Sequence, residues 1–368
     1  MKKNAQYGNI LLFTIPSTMS TGHFNEYFIQ NSKKLFLIIL PLTNQPPKVQ
    51  LNVYKNGYID STKNFYLYRG NNLLLRYLFF LFYYWYIVFF ALPKKTVVFA
   101  TTPQYCFLSS IFRLFRDVQV VYHVGDYYPG SHGIMRLYQW LIHFYNARLQ
   151  YVVYCSSLLE KILKPKKISK DWIRQSWVYG VKMIKKNKQN TNSTLGFVGV
   201  LRPGQGIEII LETLTINPKL SLEIIGRGPF TEFIQDEIRQ RKLSTRVKMY
   251  GLIQDEKTIN KIVSRWQIGL APYDPSQRNM TYYGDPSKVK FYLEYRLPVI
   301  MTKITYMSKD INRYHAGIAI DFSVKSLLEA ITQIRENYGY YLDGLEKLVK
   351  KYEYNKLYDS QFKFLKKV

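Results

Sequence analysis

Residues 195–212 read LGFVGVLRPGQGIEIILE, an apolar strand that runs into a glycine-bearing loop and then opens a helix. Residues 284–300 read GDPSKVKFYLEYRLPVI, with two lysines at the start of another helix and an apolar strand behind it. A strand–glycine loop–helix unit aims backbone N–H groups and the positive end of a helix at one point, and the usual anion there is phosphate. Two such units lie roughly ninety residues apart with an α/β pattern between them, which suits one diphosphate held from both sides. The chain therefore reads as an enzyme that uses a nucleotide-linked substrate.

The rest of the sequence alternates in the same way. In the first half, strands are expected at 10–15, 35–42, 96–100, 118–124 and 151–155, with a weak one at 49–53. Helices are expected at 24–33, 77–92, 105–115, 134–146 and 156–164. Residues 178–192 are polar, basic and aperiodic, as a linker should be. A second series follows, with strands at 195–200, 221–225, 247–250, 268–272, 298–301 and 317–321, and helices at 207–214, 230–241, 255–264, 287–295 and 323–337. Alternation at this spacing predicts parallel sheets covered by helices on both faces. The fold class is α/β, two doubly wound Rossmann-like domains facing a central cleft. The expected division is 1–180, a linker at 181–193, a nucleotide-binding domain at 194–335, and helices at 336–368 that pack back across the junction. With 368 residues, each half is long enough to bury its own core. Ligands of such sheets bind beyond the carboxyl ends of the strands.

Charge restricts the partners. The chain carries 52 Lys+Arg against 25 Asp+Glu, and residues 1–180 alone hold 21 against 6. The basic residues of that half come in small groups beside Tyr and Phe, a mixture that suits an anionic membrane surface, where each contributes about 1 kcal/mol. Nucleic acid is not an expected partner, because no RNP-like, helix-turn-helix or zinc-finger pattern accompanies the charge. Residues 77–92, YLFFLFYYWYIVFFAL, are sixteen uncharged residues. As a helix they extend about 24 Å, short of the roughly 30 Å hydrocarbon core. Three readings are ordered: a buried helix of the α/β domain, a face dipped into the bilayer, and a true span, the first two compatible with each other. The two cysteines, Cys106 and Cys155, lie in apolar segments and form no CxxC, so a reducing cytosol is expected. Residues 10–15 are too short for a secretory signal and lead into Pro16-Ser17-Thr18. The expected location is cytoplasmic, peripheral on the inner face of the cell membrane.

Read together, these segments resemble the GT-B fold glycosyltransferases, specifically the large family-4-like retaining group. FVGVLRPGQGIEIILETL resembles the first strand, loop and helix of that family's nucleotide-binding domain, and LEIIGRGPF its second strand and glycine turn. VKMYGLIQDEKTINKIVSRWQIGLAPY resembles the later helix–strand run, and DPSKVKFYLEYRLPVIMT the donor-binding helix with its following strand. The resemblance covers about 195–321 and is loose before that. Single motifs of this kind occur widely; their order and spacing carry the likeness.

The resemblance implies a nucleotide-diphosphate sugar donor of UDP or GDP type. Catalysis then rests on stabilising the departing diphosphate, with no metal and no cofactor besides the donor. It places backbone at Gly199, Gly204 and Gly206 close to the phosphates, and Arg202, Lys288 and Lys290 as their countercharges. The plainer alternatives are a tight turn for the glycines and a solvated helix face for the lysines. Where the family has Arg and Lys in the first loop, this chain has Val200 and Gln205. A gap-free match on Pro298-Val299-Ile300 puts Phe291 at the glutamate that holds the ribose, and Glu294 or Asp285 is then expected to substitute. In the first domain Thr21-Gly22-His23 takes the place of the glycine loop that abuts donor and acceptor. Asp126 is the first candidate for a polar group near the reaction centre and His123 the second, although His123 also reads as an inward strand residue. The implied activity is a retaining hexosyltransferase for a lipid-linked or cell-envelope glycan acceptor, in cell-envelope polysaccharide biosynthesis. Two other readings stay open. One is a nucleotide-sugar epimerase of the same fold; the other is a catalytically silent binding protein, which Phe291, Val200 and Gln205 favour.

Overall fold

Apolar strands alternating with amphipathic helices build two compact units. The computed structural model describes residues 5–14, 23–41, 48–70, 72–113, 115–125, 127–184, 194–277 and 280–367. Unit 1 comprises Met1–Pro16, Phe24–Val178 and Tyr358–Val368, and unit 2 comprises Ser17–His23 and Tyr179–Leu357.

In unit 1 the elements run β1 (Tyr7–Thr14), α1 (Phe24–Asn31), β2 (Ser32–Ile39), β3 (Lys48–Lys55), β4 (Tyr58–Tyr66) and α2 (Leu73–Tyr86). A π turn at Ile87–Ala91 extends α2. β5 (Thr96–Ala100), α3 (Pro103–Phe112), β6 (Val118–Val124), α4 (Ile134–Arg148), β7 (Tyr151–Tyr154), α5 (Ser157–Leu163) and β8 (Ile173–Ser176) follow. The eight strands lie in the order β4-β3-β2-β1-β5-β6-β7-β8. From β2 to β8 the pairing is parallel, as βα repetition dictates. The all-parallel expectation fails at one edge, where β2, β3 and β4 pair antiparallel. Asn56 and Gly57, with φ of 50° and 87°, make the tight hairpin between β3 and β4.

The helix expected over 77–92 begins earlier, where Asn72 Oδ1 accepts from the N–H groups of Leu74 and Leu75. It is buried on one face only: Phe80, Tyr84, Ile87 and Val88 are buried, whereas Phe82, Trp85 and Phe90 are exposed. Both cysteines are buried, and among the described residues neither forms a disulfide.

In unit 2 the order along the chain is β9 (Thr194–Val198), α6 (Ile207–Ile216), β10 (Ser221–Ile225), α7 (Thr231–Gln240), β11 (Val247–Met249), α8 (Glu256–Val263) and β12 (Ile268–Ala271). Then come α9 (Met280–Tyr283), α10 (Ser287–Glu294), β13 (Val299–Thr302), α11 (Met307–Tyr314), β14 (Gly317–Ile320), α12 (Val324–Glu336), α13 (Tyr338–Lys351) and α14 (Tyr354–Gln361). The six strands are parallel in the order β11-β10-β9-β12-β13-β14. That is the doubly wound 3-2-1-4-5-6 arrangement. Leu195, Phe197, Leu222, Ile224, Ile268 and Leu270 of the central strands pack against Ile210 and Leu214 of α6 and Leu327 and Ile331 of α12.

Of the linker expected at 181–193, residues 185–193 lie outside the described residues. Val181 is no free tether: its N–H donates to Tyr352 O, and its C=O accepts from the Tyr354 N–H. The terminal piece expected at 336–368 divides, with α13 in unit 2 and Tyr358–Val368 in unit 1.

Candidate active site

In a sheet of this order the chain reverses direction between β9 and β12, and a crevice opens beyond their carboxyl ends. The loop after β9 is pressed onto the end of β12. Gly204 O accepts from the Asp274 N–H at 3.1 Å. Gly206 has φ 73°, and a Cβ there would stand 1.8 Å from Pro272 O, so no other residue fits. Gly206 is also the residue at which α6 starts, and no side chain caps that helix. Its first N–H groups and positive dipole end therefore lack a capping side chain. A Cβ on Gly226, in the turn after β10, would meet Gly199 O at 1.9 Å, which locks the loop from the other side. Gly199, at φ 141°, leaves room for Lys288, whose Cε would lie 3.2 Å from a Cβ there.

Lys288 enters this crevice from α10. Its ammonium donates to Gln205 Oε1 at 2.9 Å and lies 3.6 Å from the Phe197 ring centroid and 5.1 Å from that of Tyr273. An amide oxygen and two ring faces are weak compensation for a buried charge. Burial first, and the Arg202 guanidinium second, push Lys288 well below its ordinary value. Arg202 Nη2 donates to Thr281 Oγ1 at 2.9 Å, while its buried Nε has no hydrogen-bond partner among the described residues. Two neighbouring cations beside the start of α6 have the chemistry that an anion site requires.

Lys290, two residues further along α10, points elsewhere because two helical positions are about 200° apart. It donates to Tyr179 O at 2.6 Å, faces Asp285 Oδ2 at 3.7 Å and lies 3.7 Å from the Tyr352 ring centroid. The expectation that both lysines face one diphosphate is corrected accordingly. Asp285 also accepts from the Tyr179 N–H at 2.6 Å and from the Tyr306 hydroxyl at 2.7 Å. Burial raises Asp285 and lowers Lys290 to about 8, and the opposite charge of each partner resists both shifts. Glu294 Oε1 lies 2.7 Å from His23 Nε2 and accepts from the Lys182 N–H at 3.2 Å.

Gly199, Arg202, Gly204, Gly206 and Lys288 thus come together at the ends of β9 and β12. Asp285, Lys290 and Glu294 instead bind residues 179–184 and 23 to α10. Phe291 is buried, 4.6 Å from Tyr295 between ring centroids, and Val200 is exposed. Gln205 and Thr281, which hold Lys288 and Arg202 in place, were not expected as site residues. Gln205 stood out only as a departure from the family's lysine, and nothing at Thr281 marks it, 79 positions from Arg202.

His123 belongs to unit 1, in β6, with its ring 4.3 Å from that of Trp177. Burial lowers it to about 3, so the imidazole is neutral at neutral pH. Asp126 lies outside the described residues. Among the described residues, no three His, Cys, Asp or Glu side chains gather as a metal site would need.

Residues 181–356 match the family model described as Glycosyl transferases group 1. Solved structures share the fold across nearly the whole chain. Sucrose-phosphate synthase from Thermosynechococcus elongatus is 12% identical, with a TM-score of 0.69 over 98% of this chain and 98% of that one. The pneumococcal O-GlcNAc transferase GtfA, solved with UDP and GlcNAc, is 8% identical, with a TM-score of 0.65 over 98% and 99%. The lipopolysaccharide outer core galactosyltransferase WaaB is 12% identical, with a TM-score of 0.62 over 98% and 100%. Comparison with curated protein sequences gives no match.

Proposed function

With residues 181–356 a group 1 glycosyl transferase domain on a GT-B fold, we propose that the protein moves a hexose from a nucleoside-diphosphate sugar to a glycan or lipid-linked acceptor of the cell envelope, with retention at the anomeric carbon. The observation that carries this is the incompletely paired Arg202–Lys288 couple at the switch point. As the anomeric C–O bond breaks, its electron pair passes to the diphosphate. The acceptor hydroxyl oxygen bonds to the anomeric carbon and passes its proton to the departing diphosphate oxygen. Arg202 Nε, the Lys288 ammonium and the first N–H groups of α6 stabilise the charge that grows on the diphosphate. Two fixed cations do this without a metal. The GtfA structure with UDP and GlcNAc supports a UDP-type donor, and WaaB supports an envelope acceptor.

Titration calorimetry of the full chain with UDP and GDP tests the reading, followed by nucleotide release from a panel of nucleotide sugars. One nucleoside diphosphate should bind, and Arg202→Ala and Lys288→Ala should each weaken it about a hundredfold, as loss of one charge-assisted contact implies. A folded protein that binds neither nucleotide, or binds one regardless of both substitutions, overturns it.

A further inference from the structure

We infer that one helical side of unit 1 is a docking surface for an anionic lipid bilayer. On α2 and its π turn, Phe82 is 61% exposed, Phe90 is 70% exposed, and Trp85 stands open between them. These rings continue onto the next element, since the Phe89 and Phe115 centroids are 6.1 Å apart and Phe115 is 67% exposed. Phe107 of α3 is likewise exposed, and α4, packed against α3, presents Trp140 at 56%. Exposed aromatic side chains in such continuity are unusual for a surface that meets only water.

Charge selects the occupant. Residues 69–148 contain eight Lys+Arg and two Asp, with no Glu. Lys94, Lys95, Arg113 and Arg136, each within a few residues of one of the rings along the chain, are exposed. Trp and Phe among cationic side chains suit the headgroup layer, whereas protein interfaces are depleted in Lys. The surface lies on the bilayer and does not cross it. Leu74–Ala91 is long and apolar enough to pass as a span by composition, but its inner side belongs to the unit 1 core. Tyr84 is fully buried with its hydroxyl 2.7 Å from Ser109 Oγ, and Phe80 packs 5.9 Å from Tyr105 between centroids. Extraction into a bilayer would break those contacts, while insertion of the outer rings costs none. The surface would hold the protein peripherally at a cytoplasmic leaflet, and it stands independently of the sugar-transfer reading.

Flotation of the full chain with vesicles of phosphatidylcholine, with and without phosphatidylglycerol, tests the inference. Wild type should float only with the anionic vesicles. Phe82→Asp with Phe90→Asp, and separately Lys94→Glu with Lys95→Glu, should each weaken binding at least about tenfold with unchanged thermal midpoints. Brominated lipid should quench tryptophan fluorescence of the wild type, a readout that needs no variant. Absence of binding to anionic vesicles overturns the inference. So does binding that the charge reversal abolishes but the phenylalanine substitutions leave intact. A dimer in light scattering that the phenylalanine substitutions dissociate also overturns it, because a second copy would then own the surface.

Discussion

Two effects oppose the charge of Lys288, burial first and the guanidinium of Arg202 second. An anion in the crevice reverses the balance: it favours the ammonium and raises the folded pKa again. Binding of a nucleoside diphosphate should therefore draw a proton from solution wherever the pH lies between the free and bound values. Affinity is then full below the free value and falls about tenfold per pH unit above it, until the bound value is passed. Calorimetry in buffers of different ionisation enthalpy checks this, and a buffer-independent enthalpy across the whole range contradicts it. The same depression has a sign for stability. The unfolded lysine keeps its proton up to its ordinary 10.5, so stability rises with pH between the depressed folded value and 10.5. Lys288→Met should accordingly melt at or above wild type, gaining about 1 kcal/mol, while losing nucleotide. Arg202 and Lys288 could be read from the sequence because their place in a strand–loop–helix unit fixes where they point. Asp285 and Glu294 could not. Apart from Lys290 and Tyr306, which also hold Asp285, their partners are residues 179, 182 and 23, over a hundred positions away, and no local pattern encodes that pairing.

At the scale of elements, α10 has two duties on two sides. One delivers Lys288 to the ends of β9 and β12; the other fastens residues 179–184 through Lys290, Asp285 and Glu294. Substitutions on the two sides should separate stability from binding. Asp285→Asn removes the charge opposite Lys290 and weakens the acceptor for Tyr179 and Tyr306. It should cost about 3 kcal/mol of stability in denaturant melts, yet leave nucleotide affinity within about threefold. Normal stability with lost nucleotide would instead make Asp285 a ligand contact. The parallel strands other than β8 were legible because each is a short apolar run between helix signals; β8, IRQS, carries no such run and was not expected. The β3–β4 edge was not legible, since β4 (YIDSTKNFY) is exposed almost throughout and shows no inward alternation. The Asn56-Gly57 pair was the one local signal of that hairpin. Which face of α2 points outward was not legible either, since rings stand on all sides of that helix and no period marks an inner side.

For the whole molecule, the telling feature is that the chain returns to unit 1 after completing unit 2. Tyr358 and Phe362 are fully buried among Phe24, Phe28, Phe99 and Trp177, with Phe362 5.1 Å from Phe28 and 5.2 Å from Trp177 between ring centroids. Asp359 accepts from the Tyr27 hydroxyl at 2.6 Å, and Gln361 O accepts from the Gln175 side chain at 2.6 Å. The last residues are thus core of the first unit, although nothing in a basic, tyrosine-rich tail says which of two similar cores it will join. Phe362→Ala should cost unit 1 about 4 kcal/mol, and truncation after Leu357 more than that. Hydrogen exchange read by mass spectrometry locates the damage. Protection should fall in β1, α1 and β5, which surround the aromatic cluster, while β9, β12 and α12 keep theirs. Equal loss in both units would mean that the two cores unfold as one cooperative body, and the tail would then stabilise the molecule as a whole and not the first unit alone.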